Sequence, residues 1–382
     1  MTDIPAEAAG LLASAEAEPC FRWRLEPARA ALDRAAALLP IEGRADLDAR
    51  AALRRAVIEL AAEEPEAARS FADLATVAAR RALDPLRALM ARVISARAAL
   101  RVPELAEAGT IELDAIAEEL EVAEDAAPPG ELDVGIELGA LLAIAFAERH
   151  LGALELEAAR EAYDDAEDLL RGAGAKALPD TRFLALQGTA LVAQLTRSFG
   201  RAADRLRTLV RLVHGHVSPR DELEARMALG HMLSQLGKHA DAVRHMDLAR
   251  KLAKDSGTVD ELFLATQSAA LAALHAGSYG RALDRAYEAL QLAGLEKRDL
   301  FSYVSVVSLI AQINLVRGSD AEAYLALLYA SASVKQRIGP QATVMLEAQI
   351  EELKARMGPE KFERMCQEIL RARAERAKLE PE

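Results

Sequence analysis

The 382-residue chain is 52% apolar but only 4% aromatic, so Ala and Leu carry most of its hydrophobic content. That composition favours helix over sheet. A formal charge of −13 argues against a general nucleic-acid binder, and two cysteines, Cys20 and Cys366, are too few for a disulfide framework or a cysteine-built zinc site. The opening MTDIPAEAAG is acidic where an export signal would be basic. The longest apolar run, 138–147, falls well short of the roughly 20 residues that span a bilayer. A soluble, cytoplasmic protein without membrane insertion is expected. The preference for Arg, with no Lys before Lys176, fits a GC-rich bacterial coding sequence.

Residues 1–18 read as a weak Ala-rich helix or a frayed terminus. Pro27 opens a clearer helix that closes at Pro40, with Ala28, Leu32 and Ala35 on one face. A pair follows at 46–63 and 65–83, its second member carrying Ala68, Ala72 and Ala75. Asp84–Pro85 supplies an N-cap and a first-position proline for the next helix. Thr110 is expected to cap a short helix that runs to Glu121. The AAPPG at 126–130 is the strongest break, read as a loop inside one array rather than a domain boundary. Thereafter the pattern sharpens. In 228–254 Gly230, Ala242 and Ala249 are small where two helices would touch, Leu229, Leu233 and Met246 supply bulk, and Gly237 permits the reversal. Ser218-Pro219-Arg220-Asp221 reads as a helix start, and Thr258 with Glu261 as a capping box after the stop at Gly257. Ser278 and Ser319 each follow a glycine and precede a helix. Breaks at Gly339–Pro340 and Gly358–Pro359 frame a last pair, whose charged second helix, 361–378, suits a terminal cap.

One small residue recurs at a fixed place in each second helix: Ala159, Ala202, Ala242, Ala282 and Ala323, at steps of 43, 40, 40 and 41 residues, with 40 again between Ala28 and Ala68. Such a period marks stacked helical hairpins, each needing a neighbour to cover its apolar face. The pattern resembles the tetratricopeptide repeat (TPR), in a long-period form similar to the modules of bacterial maltose-type activators, peptide-sensing bacterial regulators and kinesin light chains. The resemblance implies an all-α, right-handed α-solenoid of about eight antiparallel helix pairs. The organisation expected is 1–125 degenerate helical repeats, 131–357 the repeat array, and 358–382 a capping helix and tail.

Catalytic and cofactor signatures are missing: there is no glycine-rich phosphate loop, no HExxH and no Gly-x-Ser-x-Gly elbow. No enzyme and no cofactor are expected. Five of the seven histidines, His214, His216, His231, His239 and His245, fall within one stretch, and Asp241 stands one helical turn before His245. Repeat register scatters them over different faces, so no metal site is expected. Charge is segregated. Between residues 104 and 168 there are 20 Asp and Glu against Arg149 and Arg160, whereas 197–254 holds 12 Lys and Arg against 6 acids. The acidic segment 104–168 could steer a basic partner, or pair copies head to tail in a homo-oligomer. Solvated outer helix faces are the plainer account.

The resemblance places a partner in a concave groove lined by the first helix of each pair. By register the lining residues are Glu148, Gln187, Gln194, Glu224, Met227, His231, Gln235, Gln267, His275, Ser308 and Gln312. Several are amides, able to bond a peptide backbone without demanding charge. The Lys, Asn and Arg of the family's carboxylate clamp are absent, so acidic chaperone tails are not expected. Two functions follow from the resemblance: a non-catalytic scaffold or adaptor that binds a peptide or helix of a partner protein in the groove, or a peptide-sensing regulatory subunit whose solenoid changes pitch on binding.

Overall fold

A computed structural model of the chain describes residues 4–17, 25–38, 44–126, 132–172, 179–214, 219–294 and 300–379. Its regular elements among these residues are 18 α-helices and two short 3-10 turns. They divide into two compact units, Met1–Met232 and Leu233–Glu382.

The first unit contains α1 (Ile4–Ala17) with α2 (Glu26–Leu38), α3 (Ala45–Ala61) with α4 (Pro65–Arg81), α5 (Pro85–Leu100) with α6 (Ala106–Ala126), α7 (Leu132–Gly152) with α8 (Leu156–Gly172), and α9 (Pro179–Leu195) with α10 (Phe199–Val213). The division falls inside α11 (Pro219–Gln235). The second unit continues through α12 (His239–Ser256), α13 (Val259–His275), α14 (Tyr279–Ala293), α15 (Leu300–Val316), α16 (Asp320–Arg337), α17 (Val344–Met357) and α18 (Pro359–Leu379). Among the described residues, α1–α10 make five consecutive pairs in the first unit, and α13–α18 make three in the second. Within each unit successive helices pack on one another, α1 through α10 in the first and α12 through α18 in the second, and odd-numbered helices also touch: α1, α3, α5, α7 and α9 in the first, α13, α15 and α17 in the second. In each unit, taken by itself, odd helices form one layer and even helices the other.

The periodic alanines sit where helices press together. Ala28, Ala68, Ala159, Ala202, Ala242, Ala282 and Ala323 are all 0% exposed. Around them larger side chains fill the gaps, as Leu86, Val93, Ile94, Leu113, Ile116 and Leu138 do in the first unit and Val304, Val307, Leu327 and Val334 in the second. The weakly patterned N-terminal stretch is a packed helix: Leu12 and Ala15 of α1 are buried against α2 and α3. Thr110 is not a cap. It lies inside the 21-residue α6 and returns its hydroxyl to the Ala106 carbonyl at 3.0 Å, because a 3-10 turn at Pro103–Leu105 already starts the helix upstream.

Other starts are as the sequence indicates. Asp84 accepts from the Arg87 amide at 2.9 Å, and Thr258 and Glu261 close a full capping box. Ser278 and Ser319 occupy cap positions but make no side-chain cap bond. The break at 126–130 lies, but for Ala126, outside the described residues, as do Ser218 and Cys20.

One turn recurs between paired helices. A residue in the left-handed region lets the following amide reach back five residues: Glu64 to Glu59 at 2.9 Å, Glu155 to His150 at 2.8 Å, Ser198 to Ala193 at 2.7 Å, and Ser278 to Ala273 at 2.9 Å. In the second unit that residue is glycine, at Gly237, Gly277 and Gly318, with φ between 69° and 78°. In the first it is Glu63 (φ 63°), Leu154 (φ 62°) or Arg197 (φ 57°), each with a Cβ that this conformation penalises.

Two variants test this architecture by thermal or urea unfolding. Ala282→Arg forces a charged chain into a fully closed contact and should cost about 3 kcal/mol or more, while the neighbouring exposed Arg281→Ala should change little. Leu154→Gly relieves the left-handed strain at an exposed site and should stabilise by about 0.5–1 kcal/mol.

Candidate partner-binding face

The odd-helix layer of the second unit offers an open, mixed surface. On α13, Leu264, Gln267, Leu271 and His275 lie at intervals of three, four and four, which places them on one side. On α15 the matching side carries Phe301, Ser305, Ser308, Gln312 and Val316. Gln267 donates from Nε2 to Ser305 Oγ at 2.7 Å, and Gln349 of α17 donates to Ser308 Oγ at 2.8 Å. Small hydroxyls therefore let amides lace one odd helix to the next. Flanking them, Leu264, Leu271, Phe301 and Val316 leave apolar surface in water, with Phe301 71% exposed. The result is a strip of amide and hydroxyl groups edged by hydrophobic side chains.

Of the groove residues expected in this unit, Gln235, His275 and Gln312 are exposed, while Gln267 and Ser308 are half-buried in the lacing. In the first unit Gln187, Glu224 and His231 are exposed, and Gln194 and Met227 are half-buried. Leu191 and Leu195 stand exposed beside Gln187 and Gln194 on α9. The exposed apolar residues went unrecognised in the sequence. The signal was available: α15, LFSYVSVVSLIAQINLV, is apolar around most of its circumference, yet it cannot bury every side in a two-layer stack.

Glu148 has a different setting. Arg97, 2% exposed on α5, donates to both of its carboxylate oxygens, at 2.8 and 2.9 Å, and Arg101 approaches to 3.7 Å. Burial alone would raise the Glu148 carboxyl, but the Arg97 charge and hydrogen bonds outweigh it and hold it below the usual carboxylate range. Tyr163 of α8 lies within reach of these charges, and burial, helped by Glu148, pushes its hydroxyl up. A Cβ at Gly188 of α9 would overlap the Tyr163 ring, so that glycine is the seat for the tyrosine. Glu148 thus ties α5 to α7 inside the stack.

The rest of the first unit's odd layer is cross-linked by charge. Arg50 of α3 pairs with Glu16 of α1, and Arg54 of α3 reaches Asp180 of α9 at 2.8 Å. These groups edge a cavity of about 290 Å³ that also receives Glu137, whose carboxyl burial pushes up and whose hydrogen bond is to Thr181 at 3.4 Å.

Part of the acidic segment is paired within the chain. Arg92 pairs with Glu112 and Glu119, Arg149 with Asp114 at 2.8 Å, Arg205 with Glu167 at 2.9 Å, and Arg201 with Asp164. The even helices repeat the device in the second unit, where Arg250 meets Glu288 at 2.9 Å and Arg285 meets Asp247 at 3.3 Å. Among the described histidines, His214 contacts Glu222 at 3.0 Å, and the rings of His239 and His275 lie 5.7 Å apart; His216 lies outside the described residues. Among the described residues no group of three His, Cys, Asp or Glu could hold a metal ion, and no helix is long and apolar enough to cross a membrane.

Paired helices in two layers, closed at alanine and reversed through one recurring turn, define a TPR-like all-α solenoid. Among solved structures, the apo form of RapI is similar over 86% of this chain and 87% of its own, at 10% identity and a TM-score of 0.55. A signal transduction ATPase with numerous domains (STAND) from Pyrococcus horikoshii, described as having a tetratricopeptide repeat sensor, is similar over 87% of this chain at 14% identity and a TM-score of 0.50. The match covers 49% of that larger protein. No protein-family model and no curated protein sequence matches the chain.

The Arg97–Glu148 pair gives a direct test. Glu148→Ala leaves a buried guanidinium unpaired and should cost about 3–5 kcal/mol in urea unfolding. Because the native carboxyl is held low, the contribution is complete above the ordinary carboxylate range and disappears as pH falls through the native value. Wild-type stability should therefore fall with acid more steeply than that of the variant.

Proposed function

We propose that the protein is a non-catalytic scaffold or adaptor of the cytoplasm that captures a peptide or helix of a partner protein on the odd-helix face of its second unit. One observation carries this reading. Amide and hydroxyl groups of Gln267, Ser305, Ser308 and Gln349 form a ladder between exposed Leu264, Leu271, Phe301 and Val316. The amides can exchange their mutual bonds for a peptide backbone, and the apolar edges can close over its side chains. Stacked helices hold these groups in place beforehand, which lowers the ordering cost of binding. The arginine pairing of the acidic segment favours this face over capture of a basic partner by charge.

A second reading, a peptide-sensing regulatory subunit, draws support from the sensor description of the STAND protein's repeats. In it, partner binding would break and remake the Gln267–Ser305 and Gln349–Ser308 bonds and alter the pitch of the stack.

Affinity capture from a lysate in low and high salt tests the face. Leu271→Glu combined with Gln312→Glu should abolish partner recovery at both salt concentrations while leaving the melting temperature unchanged. Partners retained by the double variant, or lost from the wild type in high salt alone, would move the site elsewhere. X-ray scattering with and without the captured partner peptide distinguishes the two readings. A scaffold keeps its radius of gyration and a sensor contracts.

A further inference from the structure

The side of α15 opposite the laced face borders a cavity of about 530 Å³ between α14 and α16, well within the size range of small-molecule sites. The cavity opens to solvent along one side. Its walls concentrate a scarce residue: Tyr287, Tyr303 and Tyr329 are three of the chain's six tyrosines. Tyr287 and Tyr329 remain about half exposed, at 49% and 48%.

Asn314 stands at one end of this cavity. It is 1% exposed, and its Oδ1 has no hydrogen-bond partner among the described residues. A buried amide oxygen without a donor is costly, so its presence calls for a reason. Repeat register sharpens the point. The Asn314 carbonyl closes the turn at Gly318 by accepting from the Ser319 amide, and the residues doing the same in the preceding turns are Ala273 and Leu233. An apolar side chain serves there, so the turn does not require asparagine. Glu322, exposed at the start of α16, reaches the same end of the cavity from across that turn. No Lys or Arg is among the residues that line it.

We propose that this cavity binds a small aromatic amine. The ammonium group pairs with the Glu322 carboxylate, the Asn314 amide turns to bring Oδ1 to the cavity wall and accept from it, and the ring lies among the tyrosines. Two acceptors at one end without a lining cation select a positively charged donor, and tyrosine faces favour both a ring and the cation attached to it. The cavity and the laced face lie on opposite sides of α15, so each can be disabled without the other.

The probe is phenethylamine, titrated into the full chain and followed by ligand-observed NMR, with 2-phenylethanol and 3-phenylpropionate as neutral and anionic counterparts. Phenethylamine should bind at least tenfold more tightly than the alcohol, and the carboxylate should not bind. Asn314→Leu, which restores the residue type of Leu233, should raise the melting temperature and weaken phenethylamine at least tenfold. Glu322→Gln, at an exposed position, should weaken it similarly with an unchanged melting temperature. Absence of phenethylamine binding, equal binding of the three probes, or undiminished binding by Glu322→Gln would overturn the proposal.

Discussion

Two helix axes come as close as about 8 Å only where the side chains between them are as small as alanine or glycine. This chain depends on that constraint. Its fully buried alanines at steps of about 40 residues set the distance within each pair, and larger residues on either side are sized to what remains. Because every pair keeps one apolar flank, none is complete alone, and stability accumulates by stacking. The scarcity of aromatic residues follows from the same geometry, since few places in so tight a stack can take a ring. Tyr163 fits because Gly188 on the next helix has no side chain.

What the sequence displayed was what repeats. Ala159, Ala202, Ala242, Ala282 and Ala323 could be aligned by eye, and local chemistry such as the Thr258–Glu261 box marks a helix start wherever it occurs. The features that stayed hidden depend on residues distant in the chain or on backbone states that side chains do not advertise. Leu154 and Arg197 adopt a conformation that sequence reserves for glycine, because the turn's returning hydrogen bond and the packing on either side impose it. Thr110 resembled a cap because nothing nearby revealed that the helix had already begun. The expected groove positions lie on odd-numbered helices, but register could not say which of them were engaged within the chain. Glu148 is held by an arginine 51 residues away, and Gln267 by a serine 38 residues away.

Charge teaches a related lesson. A strongly acidic stretch beside a basic one suggests an external partner when read along the chain. In space, the arginines of α5 and α10 fall opposite carboxylates of α6 and α8, so part of the contrast is resolved between neighbouring helices. Such partly exposed pairs contribute modest energy individually. Their value lies in register, since a slipped neighbour would place like charges together.

The bond from Arg54 to Asp180 passes over two intervening odd helices to join α3 with α9. A stack of hairpins that touch only their neighbours behaves as a spring, each joint adding a little compliance. A strut spanning several joints removes that freedom from the coils it encloses. The first unit should therefore transmit force much as a rigid bracket does, responding to a load by turning as a whole rather than by stretching.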